Sequence, residues 1–79
     1  MMNYQQRIRI NPNIRSGKPC IVNTRIAVSD LFDYLGGGMS VEEVLDDFPD
    51  LTIVDIQACF AFAADRDRSL TVIPYEVAV

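Results

Sequence analysis

Carboxylates are the most concentrated chemical resource of this chain: Glu42, Glu43, Asp46, Asp47 and Asp50 fall within one short stretch. Metal-dependent nucleases hold their divalent cations with such groups. The spacing argues otherwise here. Val41, Val44, Leu45 and Phe48 recur at helical intervals, which puts Glu42, Glu43, Asp46 and Asp47 on the opposite, solvated side. Acids in a first helical turn also suit the positive end of the helix dipole. Cys20 and Cys59 stand far apart without a CxxC pair, and the chain has no histidine, so neither a zinc site nor a Cys-His nucleophile is supported. Both thiols are expected to be buried small apolar groups. Gly17-Lys18-Pro19 lacks the upstream glycine and downstream hydroxyl of a phosphate-binding loop, and Gly36-Gly37-Gly38 lacks dinucleotide-binding spacing. The residues point to a non-enzymatic protein with no metal and no cofactor.

Basic side chains carry the other chemistry, and they are sorted along the chain. Arg7, Arg9, Arg15, Lys18 and Arg25 are five bases with no acid between Met1 and Val28, whereas Ser29 to Ala64 holds eight acids and no base. A cationic segment of this kind faces something anionic: a nucleic acid backbone, an acidic partner or the acidic part of a second copy. Arg7, Arg9, Arg15 and Lys18 are the candidates for phosphate contact. Gln57 is the one side chain early in the last predicted helix with the chemistry to read a base edge. The net charge of -4 speaks against a protein that coats DNA indiscriminately. Arg25, just before Ile26 and close to Asp30 and Asp33, has two readings: a pin from the basic segment to one of those carboxylates, or an external contact with phosphate or partner.

The elements that must position these groups follow from pattern. Arg7-Ile8-Arg9-Ile10 alternates with period two and reads as a short strand, broken by Asn11-Pro12-Asn13; Cys20-Ile21-Val22 is a second, and Ile26 and Val28 continue the alternation. Asn23 tolerates the left-handed backbone a tight turn requires. Three helices follow. The first starts at Ser29 and ends at the triple glycine. The second opens with the capping box Ser40 and Glu43 and ends at Pro49; the third repeats that grammar with Thr52 and Asp55 and runs through Asp65 or slightly beyond. The expected fold is thus α+β, mainly α: a basic strand-bearing arm over 1–28, a three-helix, helix-turn-helix-like body over 29–66, and an extended apolar tail over 67–79, all one domain.

At 79 residues with 49% of them apolar, the chain has a marginal core and more apolar surface than a small monomer easily hides, so a homodimer is expected. Projection of residues 52–66 gives one apolar stripe of Ile56, Cys59, Phe60 and Ala63, the expected core side. The opposite side holds Val54, Ala58, Ala61 and Phe62, which either meets another chain or packs on the N-terminal strands. Leu70, Val72, Ile73 and Tyr75 begin an apolar, β-prone tail suited to strand addition on a partner or on the chain's own sheet. The polar start Met1–Gln6 and the lack of any run long enough to span a bilayer lead to the expectation of a cytoplasmic protein without a membrane contact.

Taken in order, Asn11-Pro12, Gly17-Lys18-Pro19-Cys20-Ile21, Thr24-Arg25-Ile26-Ala27-Val28, Met39 to Leu45, Phe48-Pro49-Asp50-Leu51-Thr52 and Asp55-Ile56 resemble the family catalogued as domain of unknown function 433. The resemblance covers about residues 7 to 66. It implies a small strand-bearing arm followed by helix-turn-helix-like helices. It also implies an antitoxin that binds and silences a PIN-like ribonuclease toxin and binds its own operator. The alternative is a DNA-binding regulator that contacts phosphates through the basic arm. One departure is Asn23, where the family pattern has glycine.

Overall fold

Short paired strands and three helices make up the chain in a computed structural model that describes residues 3–69. A single 3-10 turn, Tyr4–Gln6, precedes β1 (Ile8–Arg9); a second, Arg15–Gly17, precedes β2 (Cys20–Ile21). Then come α1 (Val28–Gly36), α2 (Val41–Asp47) and α3 (Ile53–Ser69), so the class is α+β and mainly helical. The expected tail residues Leu70, Val72, Ile73 and Tyr75 lie outside the described residues. Among the described residues no helix is long and apolar enough to cross a membrane.

β1 and β2 are antiparallel, with Ile8 opposite Ile21 and Arg9 opposite Cys20. The period-two pattern puts Ile8 inward and Arg9 outward. Ile10, expected on the same face as Ile8, is 57% exposed because pairing stops at Arg9 and the chain turns away at Asn11-Pro12. A third segment closes the sheet: Cys20 bridges to Ala27, and the Ile21 N–H donates to the Ile26 carbonyl at 2.9 Å. The turn between them is built by two residues. Asn23 takes φ 64°, and the Thr24 hydroxyl donates to the Ile21 carbonyl at 2.8 Å while accepting the Ile26 N–H at 3.0 Å.

Each helix begins with a carboxylate or hydroxyl returning to the backbone. Ser40 Oγ accepts the Glu43 N–H at 3.1 Å, and Glu43 Oε1 accepts the Ser40 N–H at 2.9 Å. Thr52 and Asp55 make the same exchange at the start of α3, at 3.3 and 2.9 Å. α1 departs from expectation: its cap is Ala27, not Ser29. Alanine has no acceptor, so only half a box forms, with the Ala27 N–H donating to Asp30 Oδ2 at 3.1 Å. That carboxylate draws the helix start one residue upstream of the serine. α1 stops where Gly38, at φ +109°, turns the chain. α3 runs to Ser69, further than the pattern around Asp65 suggests, so residues 67–69 are helix rather than tail. No breaker intervenes, Arg66 and Arg68 suit its negative end, and Arg68 pairs with Asp65 at 2.9 Å.

One core joins both parts of the chain. Ile8 and Ile21 from the strands meet Val28 and Leu31 of α1, Val44 of α2, Leu51 of the turn, and Ile56, Ala58 and Cys59 of α3. The basic segment is therefore no free arm, as expected of a hairpin too small to stand alone. The two faces of α3 are also assigned differently from the projection. Phe60, expected in the core, is 50% exposed, whereas Ala58, expected at a partner interface, is fully buried in its own chain. The reason is the N-terminal turn, which packs on α3 and sets Tyr4 edge-on to Phe62, centroids 5.6 Å apart at 86°. Val54, Ala61 and Phe62 are left half-buried.

Leu31 is wholly buried at the junction of strands and helices. Leu31→Ala is expected to cost about 2–5 kcal/mol by chemical denaturation, and Ile53→Ala, on the exposed side of α3, less than about 0.5 kcal/mol.

Candidate functional site

Two aspartates at matching positions hold the basic segment on the helices. Asp55, the third residue of α3 and only 8% exposed, accepts from Arg7 Nη1 at 2.9 Å with the oxygen its cap does not use. Asp30, the third residue of α1, accepts from Arg15 Nη1 at 2.8 Å. The same Nη1 donates to the Arg25 carbonyl at 2.8 Å, so one guanidinium ties the loop, the turn and the helix start. Arg15 reaches this position from a left-handed stretch, with φ of 51°, 58° and 82° at Arg15, Ser16 and Gly17. The Arg15 guanidinium holds the Asp30 carboxyl below the usual carboxylate range, against burial, with help from the Ala27 N–H. In return Asp30 raises the Arg15 pKa.

Arg25 does not make the pin to Asp30 or Asp33. Arg15 already holds Asp30, and the Arg25 side chain is exposed with no ion pair among the described residues. The reason is geometric: Arg25 lies on the far side of the Asn23–Thr24 turn and contributes only its carbonyl. Arg9 and Lys18 are likewise exposed and without an ion pair among the described residues. Arg9 and Arg25 line one cleft of about 380 Å3 together with Asn11, Ile14, Asn23 and Thr24. Gln57 is exposed on α3, far in sequence from those cations.

The chemical groups of the acidic stretch stay apart. Glu42, Asp46, Asp47 and Asp50 are exposed, and among the described residues no three of His, Cys, Asp or Glu come together as they would around a metal ion. Glu43 sits below the usual carboxylate range because the Ser40 backbone and side chain hydrogen-bond to it. Both cysteines are buried and free. Burial, and secondarily the charge of Asp55, push the Cys59 thiol up to about 12, so it stays protonated and unreactive at neutral pH.

The apolar surface is more concentrated. Phe60 stacks on Phe32 of α1 with centroids 5.5 Å apart and rings tilted by 32°, leaving its other side to solvent. Ile53, 47% exposed, and Gln57 continue that stripe toward the start of α3. Next to the pair runs an open groove of about 500 Å3 floored by Val28, Phe32, Phe62 and Ala63 and rimmed by Lys18, Arg66 and Asp67. Arg66 lies over the Phe62 ring at 5.0 Å. Behind it, the Tyr4 hydroxyl donates to Asp65 Oδ2 at 2.5 Å, which lowers the Asp65 pKa and raises that of Tyr4. Sequence spacing flags Asp55 at a helix start and Asp30 as a carboxylate close to Arg25, but nothing in it pairs Arg7 with Asp55, Arg15 with Asp30 or Tyr4 with Asp65.

This small α+β domain, with its basic strands clasped to three helices, has relatives. The family model described as "Protein of unknown function (DUF433)" matches residues 8–63. The chain belongs to that family. A crystal structure of a DUF433 member protein from Anabaena variabilis is similar, with a TM-score of 0.76 and 33% identity, over 81% of this chain and 63% of that one. The present chain thus spans less than two-thirds of that relative's length. No curated protein matches it.

Asp30, Glu43 and Asp65 are each stronger acids folded than unfolded. Depressed folded pKa values contribute stability that is present above the unfolded value, about 4, and lost as pH falls through the folded one. The urea midpoint is expected to drop as pH falls below about 4. Asp30→Asn should lower it at neutral pH and make it less acid-sensitive, and an unchanged pH profile in that variant would contradict the assigned role of Asp30.

Proposed function

We propose that the chain is a non-enzymatic, antitoxin-like protein of the cytoplasm that forms a homodimer and binds a PIN-like ribonuclease toxin. The observation that carries the interaction reading is the half-exposed Phe60, braced by Phe32 beside an apolar groove. A rigid aromatic, already ordered before contact, suits the buried anchor position of a protein interface, where aromatic residues are enriched. Ile53 and Gln57 extend the same stripe, which gives the partner one helix face of about two turns to grip. The ribonuclease partner is what the family resemblance adds; the exposed stripe is what makes a protein partner the best fit.

A second reading, contact with operator DNA by a helix-turn-helix-like unit, is favoured by one observation: Arg9 and Arg25 share a cleft, and among the described residues neither is engaged by a carboxylate. Lys18, also without an ion pair among the described residues, would add a third cation to the two. The start of α3 itself offers Ile53, Val54 and Gln57 near the acidic turn at Asp50, which is poor chemistry for a recognition helix. DNA contact, on this reading, runs through phosphates.

Co-expression with the product of the adjacent gene, followed by size-exclusion chromatography with light scattering, tests the first reading. A mixed complex is expected, and Phe60→Asp should weaken it by more than about tenfold while leaving the fold intact. A chain that ignores its neighbour would remove the toxin. For the second reading, binding to DNA upstream of the gene should show a salt slope that falls by about 0.9 for each phosphate-bound cation removed in Arg9→Ala and Arg25→Ala. No binding at low salt would end it.

A further inference from the structure

The groove between α1 and the last turns of α3 has a floor of Val28, Phe32, Phe62 and Ala63 and two cations, Lys18 and Arg66, on its rim. Its far end is formed by Arg66 and Asp67, only one turn before the end of α3 at Ser69. The sequence continues from there with Leu70-Thr71-Val72-Ile73-Pro74-Tyr75-Glu76-Val77-Ala78-Val79. We propose that this groove is the docking site of the chain's own segment 70–79, which lies in it in extended form.

Three features select this occupant. The first is pattern: Tyr75, Val77 and Val79 alternate with Glu76 and Ala78, so an extended strand turns three apolar side chains toward one surface. Pro74 reinforces this, because it biases Ile73 to extended backbone and removes one amide that would need a partner. The second is charge. Glu76 is the only charged side chain in the segment, and the groove rim carries Lys18 and Arg66 against a single acid, Asp67, which leaves it net positive. The third is reach. From Asp67 back to Ala63 is about 6 Å along the helix axis. Leu70 to Ile73 can reverse the chain, and the five residues from Tyr75 onward then extend about 17 Å, enough to run the length of the floor. Attachment to the end of the helix that forms the groove wall supplies an effective concentration on the order of millimolar.

Docking would cover Phe32 and Phe62 from the groove side and leave Phe60 on the neighbouring surface. It concerns the chain alone and does not depend on the ribonuclease reading; either can fail without the other.

A spin label tests it in the full chain. Cys20 and Cys59 are buried, so Ala78→Cys provides one accessible thiol, at a position the alternation points away from the groove. In an isotope-labelled chain carrying the label, the amide signals of Val28, Phe32, Ala63 and Arg66 are expected to lose more than half their intensity. The signal of Ile53, about 15 Å from Ala63 along the helix axis, should lose clearly less. Adding Val77→Asp to the labelled chain should restore the first group. In an equal mixture of isotope-labelled native chain and spin-labelled chain without isotope, no loss is expected. Unchanged groove signals in the singly labelled sample would overturn the proposal, as would losses that persist with Val77→Asp. Losses of similar size in the mixed sample would also overturn it, by showing that the segment of a second copy fills the groove.

Discussion

Everything in this fold hangs on two carboxylates that each do two tasks. Asp30 and Asp55 sit at the third position of α1 and α3, where their oxygens satisfy helix-start amides, and each also receives a guanidinium from the N-terminal segment. The solvent-screened attraction in a partly exposed ion pair contributes up to about 1 kcal/mol. The larger quantity is what the pairing avoids, because a buried carboxylate without its donors would cost about 1–3 kcal/mol. Asp55 is nearly inaccessible, so Arg7 and Thr52 are constraints on the fold rather than ornaments of it. The clasps bring Ile8 and Ile21 over the helices, and a core too small for either part alone becomes shared.

This pairing accounts for much of the charge asymmetry along the chain. The basic segment and the acidic helices attract one another within the molecule, and Arg7 and Arg15 are used there. The residual surface is therefore less polar in its charge distribution than the linear order of residues implies. Among the described residues Arg9, Lys18 and Arg25 form no ion pair, and they stand against a broad acidic face on α2.

Aromatic residues divide the remaining work. Tyr34 stacks on Phe48 at 5.2 Å and holds α1 to the end of α2, while Tyr4 and Arg66 bracket Phe62 from two directions. Phe60, braced on one side only, is left as surface. The order of these assignments is set by the N-terminal turn: with Tyr4 anchored through Asp65, the face of α3 carrying Ala58 and Phe62 turns inward, and Phe60 turns out.

What the amino-acid order determined by itself was local. Period-two alternation marked Ile8 and Arg9, the Ser40-Glu43 and Thr52-Asp55 spacings marked two helix starts, and Asn23 marked a left-handed turn, because each depends on bonds among residues a few positions apart. The ordered motifs sufficed for the family as well. Tertiary structure decided the rest. Apolar side chains all round α3 left both faces eligible for the core, and only the packing of Tyr4 and β1 could choose between Phe60 and Phe62. Spacing likewise cannot say which of several arginines will find Asp30. Arg25 is nearer in sequence, yet Arg15 arrives from a left-handed loop that lies between the two paired strands. Contacts between residues distant along the chain are products of the closed fold, and the surface left for binding is whatever those contacts do not consume.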